Sequence, residues 1–491
     1  MLKYFLPDWE DRLDPRFDFV NDEYCQGHKD NPYKHDVYAH QLFKQPPYDG
    51  ILFSLSVFQS KISLTNAAND TYRIRDTSNI KTYLKIPLNS TIEVMGDCGA
   101  FGYVNENSPP LPFYSVKNVA NLYEKLGFDY GVSVDHLVVK YVLERNPETG
   151  KKERRYLTLR EKKKRVKITL DNAHEFLRYH KKQGFKFKPM GVAQGYDVRT
   201  YRDSVSSLIR MGYDYIGIGS LVQYQSSFVI QVLKGIQPLI KDRSVHLFGI
   251  LRPEFVKEFE ALGVTSLDSA SFLRKAWLRS GQNYLGSNGD WYTAIRVPQS
   301  DNAGLVRNAA INGYSTRDLV KLERKALKAL GDYDAGKIGI RKALNSVMKY
   351  DELLIRSADE NAMRKKYERT LREKPWESCS CEMCKELGIH IVIFRGCNRN
   401  KRRGFHNTWL FHQGIRNSEV DGKVAEEEKI EVSNSEIDEE IENMTKTAAE
   451  NKDELQKFLN MPQSKESIKQ LLITRKTIQR LVEIAKGSGM E

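Results

Sequence analysis

The sequence predicts a parallel α/β barrel, and three observations carry that prediction. Seven short apolar runs are spaced between about residues 48 and 300: Ile51–Phe58, Ile92–Met95, Tyr130–Val134, Met190–Ala193, Tyr215–Ile218, Val245–Ile250 and Val264–Leu267. Amphipathic stretches separate them, and strand–helix alternation of this length belongs to parallel α/β proteins, as barrels or as open sheets. The third observation is how the runs end. Asp97, Asp135, Gln194-Gly195, Gly219-Ser220 and Asp268 each follow an apolar run. A (β/α)8 TIM-like barrel opens all its strand C-termini on one face, where the chemistry sits, so three carboxylates and an amide would meet in one pocket.

The elements follow in order. Residues 1–47 form an N-terminal segment whose opening, Met-Leu-Lys-Tyr-Phe-Leu-Pro-Asp-Trp-Glu-Asp-Arg, lacks the apolar region of a signal peptide. The barrel is expected over 48–315. In its first clear helix Val116, Val119, Leu122, Tyr123 and Leu126 share a face, with Ser115 as N-cap and Gly127 as stop. Further helices are expected from Asp171 to Lys182 and from Thr200 to Met211. Residues 140–167 interrupt the pattern with twelve Lys/Arg against four Glu, most of the surplus of the whole chain. Pro147–Gly150 reads as the tip of a hairpin there. The charge, with Lys162, Lys163, Lys164 and Arg165 at its densest point, suits an arm that tracks phosphates. Residues 316–375 read as polar, Lys-rich helices, and 376–412 as a metal-binding subdomain. The extension 413–491 is first acidic (Glu426-Glu427-Glu428, Asp438-Glu439-Glu440), then helical in the spacing of Ile468, Leu471, Leu472, Ile478, Leu481 and Ile484.

Bulk properties narrow the class. The chain has 491 residues, 40% of them hydrophobic, enough for one large domain with appendages or for two to three domains. A net charge of +13 favours a polyanionic partner. No stretch reaches the roughly 18 apolar residues of a membrane span. Six cysteines make no disulfide framework, and three of them sit together, which suits a reducing compartment. A soluble, cytoplasmic protein is expected.

Those three cysteines lie in Cys379-Ser-Cys381-Glu-Met-Cys384. Thiolates this close can converge on one tetrahedral Zn2+ with a fourth ligand from further along the chain. By spacing alone His406, His390, His412 and Cys397 all qualify. Four ligands leave no open position, so the metal would be structural. Arg395, Arg399, Lys401, Arg402 and Arg403 lie between Cys384 and His406 and are expected to face phosphates, Arg402 and Arg403 in particular.

Over about residues 48–412 the chain resembles the tRNA-guanine transglycosylases, which exchange a guanine in nucleic acid for a 7-deazaguanine. Met95-Gly-Asp97-Cys-Gly-Ala-Phe101-Gly is similar to the family's Asp-Ser-Gly-Gly-Phe-Gln motif. Gly191-Val-Ala-Gln194-Gly195 resembles Gly-Ile-Val-Gln-Gly, and Gly217-Ile-Gly219-Ser220-Leu221 resembles the Gly-Gly-Leu strand exit. His246-Leu-Phe-Gly-Ile followed by Asp268-Ser-Ala-Ser271-Phe is similar to the archaeal branch. The family's ligand histidine is followed by Asn, which selects His406. The resemblance implies a double displacement at C1′, as in retaining glycosidases. Asp268 would be the nucleophile and Asp97 the general acid/base. Asp135 would accept from the base edge, with Gln194, Gly195, Gly219 and Ser220 reading the rest and Phe101 stacking. Three positions depart from the family: Gly102 replaces a glutamine, Cys98 a serine and Ser220 a glycine. A side chain at Ser220 narrows the pocket and suits the small nitrile of 7-cyano-7-deazaguanine.

The opening Tyr4-Phe-Leu-Pro7-Asp-Trp9-Glu-Asp-Arg-Leu-Asp-Pro15 resembles the DNA-guanine transglycosylases of 7-deazaguanine DNA-modification systems. With the basic insertion it favours DNA over tRNA, and it implies an ATPase-like partner of the same system. The target guanine would have to be flipped out. The alternative enzyme is a tRNA-guanine transglycosylase of the archaeosine/queuosine type. A non-catalytic, zinc-containing nucleic-acid-binding subunit would be expected to lack the paired aspartates. A plain sugar hydrolase would give the zinc loop no role.

Overall fold

The computed structural model describes residues 2–56, 79–147, 149–278, 281–353, 360–427 and 431–446, with scattered positions from 456 to 477. Val57, Phe58, Glu148, Glu428, Leu471, Ile478, Leu481 and Ile484, which belong to the stretches described above, lie outside the described residues. The chain divides into two units: residues 2–252 with 258–411, and residues 253–257 with 412–491.

Eight parallel strands close a barrel in the first unit. They are β1 (Lys3–Pro7), β2 (Gly50–Ser54), β3 (Glu93–Asp97), β4 (Tyr130–Val132), β7 (Lys188–Ala193), β8 (Tyr215–Ile218), β9 (Ser244–Leu247) and β10 (Ser266–Asp268), while β5 (Tyr141–Arg145) and β6 (Lys152–Tyr156) form a separate antiparallel ribbon. Helices Val116–Leu126, Leu159–Gln183, Val198–Met211 and Ser226–Ile236 alternate with the strands. Seven of the eight barrel strands coincide with the apolar runs. The eighth, β1, comes from the N-terminal segment and closes the cylinder by pairing β10 on one side (Phe5 with Asp268) and β2 on the other (Phe5 with Gly50). The barrel therefore starts at residue 3 rather than 48. Inside it Phe5, Leu52, Met95, Tyr130, Val132, Met190 and Val192 pack as one cluster.

Local signals explain the helices. Ser115 Oγ caps the helix Val116–Leu126, accepting from the Asn118 N–H at 3.4 Å, and Gly127 ends it in the left-handed region at φ 71°. Thr158 and Glu161 form a reciprocal capping box at the start of Leu159–Gln183. The basic insertion is thus two elements. Its first half is the ribbon, with the turn where Pro147–Gly150 suggested it; its second half is the opening of this barrel helix.

Helices Thr316–Asp334, Ile340–Asp351 and Glu360–Glu373 follow the barrel and lead to the cysteine loop. The second unit has its own apolar cluster of Val432, Ile437, Ile441, Ile468 and Leu472. Within it the acidic helix Asn434–Lys446 pairs with later basic residues: Asp438 with Lys465 at 2.6 Å, Glu440 with Arg475 at 3.1 Å and Glu436 with Lys476 at 2.7 Å. The acidic residues there match cations of the same unit. Among the described residues, no helix is long and apolar enough to cross a membrane.

Candidate active site and metal centre

β3 and β10 end in aspartates at the same mouth of the barrel. Asp97 is half-buried, and its Oδ2 accepts the Gly99 N–H at 3.1 Å. Gly99 has φ 88°, and a Cβ there would lie 2.8 Å from Ser56 Cβ, so the turn after Asp97 requires glycine. Burial, then the charges of Asp135 and Asp268, push the Asp97 carboxyl up to about 7. The charge of Asp268 thus reaches Asp97 across the barrel mouth.

Asp268 is buried and held by two donors on Oδ1: the Gly249 N–H at 2.8 Å and His246 Nε2 at 3.1 Å. A carboxylate oxygen accepts, so Nε2 is the donor in this pairing. His246 Nδ1 meets Ser266 Oγ at 2.8 Å, and Ser266 Oγ meets Tyr215 Oη at 2.5 Å, giving a buried relay behind Asp268. His246 was visible in the sequence only as part of a motif, because its role depends on strands that pair across the barrel. The Asp268-Ser-Ala-Ser271 turn is also pinned. Tyr4 Oη donates to Ser269 O at 2.7 Å, and Ser269 Oγ accepts the Ser271 N–H at 3.1 Å. Asp8 and Asp11 follow β1 and were not expected at this rim. Burial pushes their carboxyls up to about 7 and about 6.

Asp135 and Gln194 form a buried polar pair. Gln194 Nε2 donates to Asp135 Oδ2 at 2.6 Å, and the Cys98 thiol donates to Oδ1 at 3.1 Å. Burial raises the Asp135 carboxyl, and it holds the Cys98 thiol well above its usual range, so the S–H stays a donor. Tyr103 Oη donates to the Asp135 carbonyl at 2.8 Å. Gln194 Oε1 is buried without a hydrogen-bond partner, an acceptor still open to a ligand. A Cβ on Gly219 would lie 2.4 Å from Gln194 Nε2, which explains the glycine.

The backbone of Gly219 is less free than expected. Its N–H goes to Ala193 O at 3.1 Å and its carbonyl accepts Tyr201 Oη at 2.8 Å, leaving one carbonyl lone pair for a base. Ser220 has φ 61°, and its Oγ accepts the Val138 N–H at 2.8 Å, so its hydroxyl ties two strand exits together. A Cβ on Gly195 would clash with the Tyr201 ring at 2.7 Å. Phe101 sits on the turn after β3 and is 68% exposed, available as a flat surface.

Cys379, Cys381, Cys384 and His406 come together in a buried group whose ligand atoms all lie within 4.8 Å of one another. His406 Nδ1 is 3.6, 3.3 and 3.3 Å from the three sulfurs in chain order. Its Nε2 donates to Leu285 O at 2.7 Å, which leaves the Nδ1 lone pair facing the sulfurs. Three soft thiolates and one oriented imidazole fit a tetrahedral metal ion such as zinc. Cys397 is exposed and takes no part. Asn407 explains the His-Asn pair. Its Oδ1 accepts the Leu285 N–H at 2.9 Å, and its Nδ2 donates to Asn283 O at 2.9 Å and to Phe272 O at 3.2 Å. Phe272 lies four residues after Asp268, so the cysteine module buttresses the turn that carries it.

Five arginines expected to contact nucleic acid, Arg165, Arg395, Arg399, Arg402 and Arg403, do not fit that role. Arg402 and Arg403 are fully buried in the helix Gly396–Glu427. Arg402 donates to Asn398 Oδ1 at 3.1 Å and Pro15 O at 3.0 Å. Arg403 donates to Ala276 O at 2.7 Å, Ile391 O at 2.9 Å and Ile393 O at 3.1 Å. Arg395 and Arg399 both pair with Asp22. This arginine cluster bolts the N-terminal segment to the metal module and cannot reach a phosphate. Arg165 is also buried, donating to Leu137 O at 2.8 Å, whereas Lys163 and Lys164 are exposed and Lys162 half-buried on the same helix.

The chain is 38% identical to the DNA-guanine transglycosylase of Salmonella montevideo over 421 residues, 84% of this chain and 97% of that protein. It is 32% identical to the tRNA-guanine(15) transglycosylase of Nanoarchaeum equitans (strain Kin4-M) over 121 residues, 23% of this chain and 28% of that protein. Residues 420–483, in the C-terminal extension, match the family model of the bacterial trigger factor C-terminus. With similarity over nearly the whole of one relative, a closed parallel barrel and the paired aspartates at its mouth, the chain belongs to the tRNA-guanine transglycosylase superfamily and is a pentosyltransferase of that kind.

Proposed function

We propose that this enzyme replaces guanine in DNA with 7-cyano-7-deazaguanine through a covalent link between Asp268 and the sugar. The observation that carries the reading is the pair of aspartates at one barrel mouth, Asp268 held by two donors and Asp97 pushed up to about 7. Asp268 Oδ2, the oxygen opposite these contacts, attacks C1′ of the target nucleotide. The glycosidic bond breaks, and its electrons leave with guanine, which takes a proton from Asp97. The incoming base then returns a proton to Asp97, and its ring nitrogen attacks C1′ and releases Asp268. A group near pH 7 suits both halves of this exchange. Asp135 accepts the donors of a guanine-like edge, Gln194 and the rim of Gly195, Gly219 and Ser220 read the remainder, and Phe101 stacks. Zn2+ at Cys379, Cys381, Cys384 and His406 has a structural role, since the four ligands fill a tetrahedron.

DNA is favoured over tRNA by the nearly full-length similarity to a DNA enzyme against the short similarity to a tRNA enzyme. A modification system of this kind works in the cytoplasm, with an ATPase-like partner as the component that opens DNA. The test is exchange of radiolabelled guanine into a single-stranded oligodeoxynucleotide, which needs no opening. Wild-type enzyme should incorporate label and form an adduct that survives denaturation. Asp268→Ala should do neither while keeping its metal content. Exchange at the wild-type rate in Asp268→Ala would refute the covalent route.

A further inference from the structure

The ribbon β5–β6 has two chemically different faces. Cross-strand partners share a face, and the pairs are Tyr141 with Tyr156, Val142 with Arg155, Leu143 with Arg154, Glu144 with Glu153 and Arg145 with Lys152. One face therefore carries Val142, Glu144, Glu153 and Arg155. Val142 is buried, and Arg155 pairs with Glu144 at 2.7 Å and with Glu161 of the following helix at 2.9 Å, so this face meets the body of the protein at its root, while Glu144 and Glu153 are exposed. The other face carries Tyr141, Leu143, Arg145, Lys152, Arg154 and Tyr156. It holds three cations, two aromatic rings and no carboxylate. Tyr156 is 66% exposed, its ring meeting that of Tyr141 edge-on at 5.8 Å, and Leu143 is 47% exposed.

The ribbon is rooted at the rim of the active site. Val138 N–H donates to Ser220 Oγ at 2.8 Å, Lys140 N–H donates to Gln223 Oε1 at 2.9 Å, and the Lys140 ammonium lies 4.3 Å from the centre of the Tyr224 ring. Leu157 N–H closes the base of the ribbon on Lys140 O at 3.1 Å. The outer face thus extends from the strand exits that border Asp135 and Gly219.

We propose that this outer face binds the unpaired nucleotides beside the extruded guanine, with bases stacked on Tyr156 and Leu143 and phosphates on Arg145, Lys152 and Arg154. The inference rests on the reading that a polynucleotide is the substrate. Rings at the base of this surface and cations toward its tip match the stacking and charge pattern of an unpaired strand, while the carboxylates are confined to the opposite face. Holding unpaired neighbours would offset part of the cost of removing a base from its stack.

Binding is measured by fluorescence anisotropy with a fluorescein-labelled single-stranded oligodeoxynucleotide containing one guanine, with its RNA counterpart and with the duplex. Leu143→Ala/Tyr156→Ala should weaken single-strand binding about 5- to 150-fold without changing the salt slope, since stacking carries little charge dependence. Tyr156→Phe, which keeps the ring, should bind as wild type. Arg145→Gln/Lys152→Gln/Arg154→Gln should lower the salt slope by about 2. Preference for the DNA strand over the RNA strand identifies the source. If wild type binds and exchanges base while both multiple variants bind the single strand as it does, the ribbon proposal is overturned and the enzymatic reading stands. If wild type neither binds a polynucleotide nor exchanges a base, both fall together.

Discussion

Asp97 is the residue whose environment does most to set the chemistry. Its carboxyl is raised to about 7 from an unfolded value near 3.8, so the folded state prefers it protonated. The stabilisation from that proton is complete below about pH 3.8 and is lost as the pH rises to about 7. Asp97→Asn stays neutral throughout. Its melting temperature relative to wild type should therefore climb between these limits and level off above them, while exchange falls by roughly 10²-fold or more. Wild-type exchange should decline above about pH 7, as the proton for the leaving base is lost. A melting difference that does not vary with pH would contradict the assignment. His246 acts through Asp268. His246→Ala removes a charge-assisted hydrogen bond and should lower kcat by roughly 10- to 100-fold with little change in KM for the base. A change in KM alone would place His246 in base binding instead. At this scale the sequence was readable where polarity broke an apolar run, at Asp97, Asp135, Gln194 and Asp268. His246, Tyr103, Asp8 and Asp11 were not, because their partners lie on other strands.

Elements were legible where periodicity was strong. Seven barrel strands and the ribbon turn followed from apolar runs and punctuation. The eighth strand, Lys3–Pro7, was not, because five residues ending in proline carry little pattern and its pairing with Asp268 is settled by closure of the barrel. The arginines before His406 were misread for a related reason. A basic run looks the same in sequence whether solvent or backbone carbonyls receive it. Arg403 is so thoroughly enclosed that burial pulls its guanidinium down to about 9. Arg403→Ala should strand three backbone carbonyls and cost on the order of 3 kcal/mol in urea unfolding. The salt dependence of nucleic-acid binding should be unchanged; a flatter slope would restore a phosphate contact. The metal module supports the Phe272 turn through Asn407. Removing zinc by chelation should therefore lower the unfolding midpoint and abolish exchange together, and added Zn2+ should restore both. A metal-free chain with full activity and stability would contradict a structural role.

At the scale of the whole molecule, the barrel supplies the cavity, the arginine cluster and cysteine module brace its seam and the turn after Asp268, and the ribbon extends its rim. The sequence conveyed this division into a barrel, a metal module and a helical extension. It did not convey that the acidic stretch would find its counter-charges in the extension itself, since those pairs join residues 27 to 40 positions apart. The central claim is that Asp97 and Asp268 together exchange a guanine in DNA. The direct measurement is nucleoside mass spectrometry of DNA and of tRNA, each incubated with the enzyme and 7-cyano-7-deazaguanine. The account predicts the modified deoxynucleoside in DNA, none in tRNA, and none in either with Asp268→Ala. Modified nucleoside in tRNA alone, or in neither polymer, would contradict it.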